Sequence, residues 1–252
     1  PLDVVIRGAK EFSRISGLSP DMAAKHLTTM KKMLAEDGND IEVKDVASLR
    51  ALRSRQIKTP LHVEELDMMT KKGFETQSLY EIYGDEGSGK TQMSMTIAAE
   101  ALGSGHGVIF IDCEGAFDLD RFDQICQSRD ITYDEEKLGY HMYSDESDLE
   151  KGIQNMIEEL IERDVRYIII DGLVGLMRLA FKGRGELADR QTELKDILKY
   201  LRNLSILLNI GILNEEGVSG YESLKARQKA VKMDSVGVEN TQALIEKDLL
   251  LE

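Results

Sequence analysis

Cysteine, proline, histidine and basic charge are all scarce in this chain, and each scarcity removes a class of protein. Two cysteines in 252 residues, Cys113 and Cys126, cannot build a disulfide framework or a thiolate metal cluster. Four histidines leave little material for a zinc enzyme. An intracellular, reducing location is the expectation. Three prolines, with 42% hydrophobic and 31% charged residues, exclude collagen-like, fibrous and wholly disordered chains. No apolar run approaches the ~18 residues of a membrane span, so no membrane partner is expected. The amino end, Pro1-Leu2-Asp3, lacks a basic region followed by an apolar stretch, so no signal peptide is expected. Basic residues are outnumbered, 32 Lys and Arg against 46 Asp and Glu, and the net charge of −14 does not suit bulk coating of nucleic acid. Any contact with a phosphate backbone must come from a local surface.

What is present reads as an ordered α/β chain. Residues 1–36 are expected to form a small helical domain, with Ser19-Pro20-Asp21 as an N-cap followed by proline at the first helical position. Residues 37–52 read as an acidic linker; five acids and one lysine fall between Glu36 and Asp45. From residue 53 to 252 a larger core is expected. Apolar runs at 79–83, 108–111 and 167–170 alternate with helical patterns at 92–102, 121–128, 145–164 and 186–204. Ile206 to Leu213 is another buried run, and 230–233 and 242–245 are candidate edge strands. Continuous apolar strands between helices predict a mainly parallel sheet covered on both faces.

One motif carries specific chemistry. Gly84-Asp85-Glu86-Gly87-Ser88-Gly89-Lys90-Thr91 satisfies G-x-x-x-x-G-K-[ST] and lies between an expected strand and an expected helix. Glycines let backbone N–H groups close around phosphates, and the following helix offers its unpaired amino-terminal donors. Lys90 then reaches the β- and γ-phosphates of a bound nucleotide, and the Thr91 hydroxyl is placed for Mg²⁺. Asp171 ends the most apolar strand and is expected to hold the metal or one of its waters. Asp112-Cys113-Glu114 closes the strand 108–111; either Glu114 or Asp112 is placed to orient or deprotonate a water attacking the γ-phosphorus. Cys113 reads as a structural residue.

These segments resemble the archaeal RadA branch of the RecA-like recombinase ATPases. The resemblance runs from Gly73-Phe74-Glu75-Thr76-Gln77 through Glu81-Ile82-Tyr83 into the phosphate loop, with Gln92 after Thr91. It continues in Ile111-Asp112-Cys113-Glu114, Phe117, Arg121, Ile170-Asp171 and the segment Gly183 to Gln191. Upstream, Gly17-Leu18-Ser19 and the helix after it resemble a helix-hairpin-helix unit. The resemblance implies a RecA-like core that hydrolyses ATP with Mg²⁺, with Glu114 as the catalytic carboxylate and Arg121 against the adenine. It also implies single-stranded and double-stranded DNA as partners in recombination or repair, and self-association or a recombinase partner.

The departures from that pattern are local. Leu213-Asn214-Glu215 stands where the family has Thr-Asn-Gln, so Glu215 replaces the glutamine that links γ-phosphate to the second DNA loop. The stretch Asn214 to Lys232 is shorter than the family's loop and following strand, and Val236 replaces the proline of an Asp-Ser-Pro turn. Val43-Lys44-Asp45-Val46 matches the family's subunit-joining Phe-x-x-Ala. The expected DNA contacts are Arg178, Lys182 and Arg184 in a first loop and Lys225, Arg227 and Lys229 in a second. Acids are interspersed in both segments, and residues 142–164 hold eight acids and two bases, a face that turns away from phosphate. An accessory P-loop protein that hydrolyses ATP weakly and works by docking to other proteins is the alternative reading. A kinase-like phosphotransferase lacks any visible acceptor site.

Overall fold

In a computed structural model of the chain, residues 2–36, 45–180, 187–217, 229–233 and 243–246 are described. Two helices open it, α1 (Leu2–Ser16) and α2 (Pro20–Glu36), followed by α3 (Val46–Ser54) and α4 (Glu64–Met69). Proline stands at the first position of α2, and the Ser19 carbonyl accepts its first intrahelical bond, from Ala23 N–H at 2.9 Å. Asp45 and Ser48 form a reciprocal capping box at the start of α3. A two-stranded antiparallel ribbon, β1 (Lys58–Thr59) with β2 (Phe74–Glu75), flanks the main sheet.

The main sheet holds β3 (Leu79–Gly84), β4 (Gly107–Asp112), β5 (Leu138–Met142), β6 (Val165–Asp171), β7 (Gly211–Gly217), β8 (Lys229–Met233) and β9 (Ala243–Glu246). Its order is β5-β4-β6-β7-β3-β8-β9. All pairs are parallel except β8 with β9. Between the strands run α5 (Lys90–Gly103), α6 (Leu119–Ser128), α7 (Glu146–Asn155), α8 (Ile157–Glu162), α9 (Leu173–Ala180) and α10 (Leu187–Leu208). Among the described residues no helix is long and apolar enough to cross a membrane.

Strand alternation divides the core into two layers. On one face Tyr80, Ile82, Val108, Phe110, Tyr167, Ile169 and Leu213 pack with the apolar side of α5 and α6. On the other, Leu79, Ile109, Ile111, Ile168, Ile170 and Ile212 pack with α7 to α10. Each fully buried Ile or Leu contributes about 1.5–3 kcal/mol relative to exposure, which explains why strands covered on both faces read as unbroken apolar runs. Ile6 of α1 joins the second layer, and the Asn203 amide of α10 donates to its carbonyl at 3.1 Å.

Two elements differ from their sequence-based expectation. The segment 145–164 divides at Met156, whose φ of −78° and ψ of 0° open the helical ladder between α7 and α8. The apolar run Ile206 to Leu213 is half helix and half strand. Its border is Asn209, in a left-handed conformation (φ 57°) that side chains other than Asn and Asp rarely adopt. The Asn209 Oδ1 accepts from Thr76 Oγ1 at 2.8 Å and Gln77 Nε2 at 2.9 Å, and its Nδ2 donates to the Arg55 carbonyl at 2.7 Å. The turn sends the chain into β7 beside β6. There Gly211 lies so close to Tyr167 that a Cβ would sit 2.6 Å from the ring.

Candidate nucleotide site

The phosphate loop forms where β3 delivers the chain at Gly84 and α5 takes it up at Lys90. Gly87 (φ 75°) and Gly89 (φ 89°) hold left-handed conformations, which glycine adopts without strain. Gly89 is the N-cap of the 14-residue α5 and supplies no side-chain cap, so the first turn keeps backbone donors for an external acceptor. Ser88 is buried, and its hydroxyl has no hydrogen-bond partner among the described residues. Asp85, Glu86 and Gly87 form the exposed rim. The Lys90 ammonium donates to the Asp85 carbonyl at 3.1 Å, folded over its own loop. An uncapped helix end, an orphaned buried hydroxyl and a lysine together suit a polyphosphate.

Beside the loop, three carboxylates stand in register. Asp112 of β4 pairs with Asp171 of β6, which pairs with Glu215 of β7. Neighbouring strands lie about 4.8 Å apart, so the three acids form a row at the carboxyl end of the sheet. All three are buried. Phe110, Ile169 and Leu213 stand two residues earlier on these strands and belong to the layer packed on α5, which puts the acids on the phosphate-loop side.

Each acid has a different environment. Asp112 is engaged in holding the loop after β4: its carboxylate accepts N–H bonds from Glu114, Gly115, Ala116 and Phe117 and one from the Tyr140 hydroxyl. Burial acts to raise its pKa, but these donors outweigh it and hold the carboxyl below the usual aspartate range. Asp171 is pushed up to about 9, first by burial and then by the neighbouring Glu215, Glu114 and Asp112 carboxylates. Glu215 is also raised by burial, against stabilising bonds from Thr91 and Ser94. Its Oε1 accepts from the Thr91 hydroxyl and its Oε2 from Ser94 Oγ at 2.7 Å. Thr91 Oγ1 lies 3.4 Å from Asp171 Oδ2.

Glu114 is exposed at the mouth of this row, its side chain lying over Gly172 and Gly175 at the start of α9. On the other flank, Arg121 of α6 donates through Nε to Gln92 Oε1 at 2.7 Å and through Nη1 to Gln124 Oε1 at 3.0 Å. The fold thus brings together the phosphate loop, Gln92, Arg121, Glu114, Asp171 and Glu215, which are scattered over more than a hundred residues of chain.

A divalent cation suits these donors. Buried Asp171 and Glu215 flank a threonine hydroxyl, and Asp171 is pushed up first by burial and then by the neighbouring carboxylates, both of which a bound cation would offset. All three donors are oxygens, the set that Mg²⁺ prefers.

The expected DNA-contacting residues are only partly placed. Arg178 sits half-buried in the last turn of α9. Lys229 opens β8, beside β3. Lys182, Arg184, Lys225 and Arg227 lie outside the described residues, as does Val43. Val46 starts α3 and is 66% exposed. Sequence reasoning did not find the clamp made by Asp112 or the Ser94 hydroxyl. The acid three residues before Gly115 and the serine three residues after Thr91 were the available signals.

Comparison with known proteins agrees with this geometry. The Rad51 family profile matches residues 52–237, well over half of the chain. The DNA repair and recombination protein RadA of Cenarchaeum symbiosum (strain A) is 32% identical over 235 residues, covering 86% of this chain and 57% of that protein. The meiotic recombination protein DMC1 homolog A of Oryza sativa subsp. japonica is 28% identical over 227 residues, covering 81% of this chain and 60% of that protein. The chain therefore spans about three fifths of the length of these relatives. Its fold, a mainly parallel sheet layered between helices with a phosphate loop at the strand ends, is the RecA-like core of that family. The chain belongs to the Rad51 family.

Proposed function

We propose that this chain is an ATP-dependent DNA-binding protein of homologous recombination or repair that hydrolyses ATP with Mg²⁺. The observation that carries the reading is the uncapped start of α5 facing a row of three in-register carboxylates. In this reading the loop Gly84 to Gly89 wraps the phosphates, Lys90 neutralises charge developing on the β- and γ-oxygens, and Arg121 with Gln92 borders the base. Thr91 and Asp171 hold Mg²⁺, which supplies charge stabilisation at the phosphates. Glu114 orients the attacking water and accepts its proton. Asp112 is spent on five donors, which leaves Glu114 as the free carboxylate beside the row. Binding to single-stranded or double-stranded DNA through Arg178, Lys182, Arg184, Lys225, Arg227 and Lys229, and self-association or docking to a recombinase, belong to the same proposal. Its support is family membership.

A second reading has one specific observation in its favour. Glu215 is an acceptor where the resembling family places an amide that donates, and both its oxygens are turned into α5. That favours an accessory protein that binds nucleotide, hydrolyses it weakly and works through protein contacts. A salt titration of single-stranded DNA binding, with and without ATP and Mg²⁺, separates the two. Nucleotide-dependent binding whose affinity falls with salt supports the first; no binding at low salt supports the second.

A further inference from the structure

We propose that Lys10 and Arg14 of α1 form a face for a nucleic-acid phosphate backbone, and that the acidic ridge where α7 meets α10 covers this face as an autoinhibitory clasp. The inference rests on the DNA-binding reading and adds a surface and a control to it. Its basis is the seam between α1 and the core.

Charge is divided unevenly along the chain. Residues 1–36 hold six Lys and Arg against four Asp and Glu, in a protein whose net charge is −14. The ridge under α1 is acidic. Glu146 and Glu150 stand one turn apart on α7, and Glu193 and Asp196 one turn apart on α10. These four acids meet: Glu193 is raised first by burial and then by Glu150, with which it shares a hydrogen bond, and Asp196 and Glu146 add to the effect. Lys10 and Arg14, four residues apart on α1, line a cavity of ≈ 230 Å³ together with Glu150 and Asp196, and Lys199 is a cation that α10 adds to its wall.

The seam is built to part. Ile6 is its apolar anchor, 1% exposed within the layer of α7 to α10, and its carbonyl accepts from the Asn203 amide. Two residues later Gly8 leaves helical geometry (φ 82°, ψ 174°), so the anchor and the cation-bearing turns of α1 are two helical pieces joined at one glycine. Past Gly8, Lys10 and Arg14 meet the core across a cavity, whereas a permanent interface fills such space to interior density. Both cations are exposed, so salt reaches them. A phosphate backbone presents anionic oxygens like those of the carboxylates, at high charge density, and competes for the same two side chains. The ridge acids repel it until α1 swings away at Gly8.

The experiment follows amide exchange of residues 9–16 in the full chain beside binding of a labelled single-stranded oligonucleotide. In wild type, raising NaCl from about 50 to about 500 mM is expected to speed that exchange at least about threefold while β4 stays unchanged. This measurement needs no variant. Glu150→Gln with Asp196→Asn is expected to speed exchange as much at low salt and to tighten DNA binding at least about threefold. Glu158→Gln with Glu162→Gln changes net charge equally at exposed positions of α8 and is expected to do neither. Adding Lys10→Ala and Arg14→Ala to the first pair should abolish the gain in affinity. Equal gains from the two neutralised pairs, or a gain that survives the loss of Lys10 and Arg14, overturn the α1 face. Faster exchange with no DNA binding in any form overturns the competition and the DNA-binding reading together. DNA binding with exchange that ignores both salt and the Glu150 and Asp196 substitutions overturns the clasp and leaves that reading standing.

Discussion

The Glu114 side chain occupies the space that a side chain on residue 172 would need: a Cβ on Gly172 would fall 2.3 Å from Glu114 Cγ and 2.8 Å from its Oε1. Gly172 directly follows Asp171, and its φ of 87° is a conformation that other residues adopt only with strain. Its N–H donates to the Glu215 carbonyl at 3.1 Å, while Cys113 N–H donates to the Asp171 carbonyl at 2.9 Å. The ends of β4, β6 and β7 are therefore latched by backbone bonds, and one missing side chain lets Glu114 lie across them.

Gly172→Ala is expected to displace Glu114 and cut ATP turnover by about 10²-fold, the scale of a lost general base. ADP affinity should change by no more than a few-fold. Glu114→Gln should slow turnover similarly without the backbone strain. Steady-state ATPase beside ADP titration checks both, and parent-level turnover in either variant removes Glu114 from the chemistry.

Lys90→Ala is expected to weaken binding of ATP and ADP by about 10²-fold, because the loop then keeps backbone donors but loses its cation. The fold should survive, since the Lys90 ammonium donates to the Asp85 carbonyl of its own loop. Calorimetry of ADP with Mg²⁺ reads the loss; wild-type heats in this variant would place the phosphates elsewhere.

Stability of the nucleotide-free protein should fall as pH rises. Asp171 is raised from 3.8 to about 9 by burial and by its acidic neighbours, so folding favours its protonated form. That contribution is complete below about pH 4 and is lost as pH climbs toward about 9. Glu81, raised to about 8 by burial on β3, acts in the same direction. The melting temperature is expected to drop between pH 5 and pH 9, and Asp171→Asn should flatten the decline without abolishing it. Added Mg²⁺ should recover stability chiefly at the alkaline end, where Asp171 is ionised. A pH-independent melt would contradict the buried-acid arrangement.

Asn209→Ala is expected to destabilise the fold by about 2–4 kcal/mol. The change deletes three side-chain hydrogen bonds and puts alanine into a left-handed turn. A urea titration should show a lower midpoint with an unchanged slope.

Some of this protein was legible along the chain and some was not. The phosphate loop is a contiguous pattern in which each residue type has its own physical role, so eight positions announce both turn and chemistry. Asp112 and Asp171 stand at the ends of apolar runs, where a charged residue breaks the apolar pattern. By contrast, Leu138 to Met142 escaped notice because β5 is an edge strand whose burial is only partial. Leu173 to Ala180 gave no expected helix, and the run 206–213 gave no sign of its internal border. Hydrophobicity is equal on the two sides of Asn209, and only that residue's bonds to Thr76, Gln77 and Arg55 set the turn.

Local covalent order was sufficient for the loop from Gly84 to Thr91, the apolar strands and the identities of the acids, because turn geometry and burial depend on neighbouring residues. Which acids meet was settled by tertiary structure. Strand order places β6 between β4 and β7, and register sets Asp112, Asp171 and Glu215 side by side. Glu215 is thereby brought to Thr91, 124 residues away in sequence. Parallel strands are joined by long crossovers, so separation along the chain says little about such contacts; packing of the helices between them decides who stands beside whom.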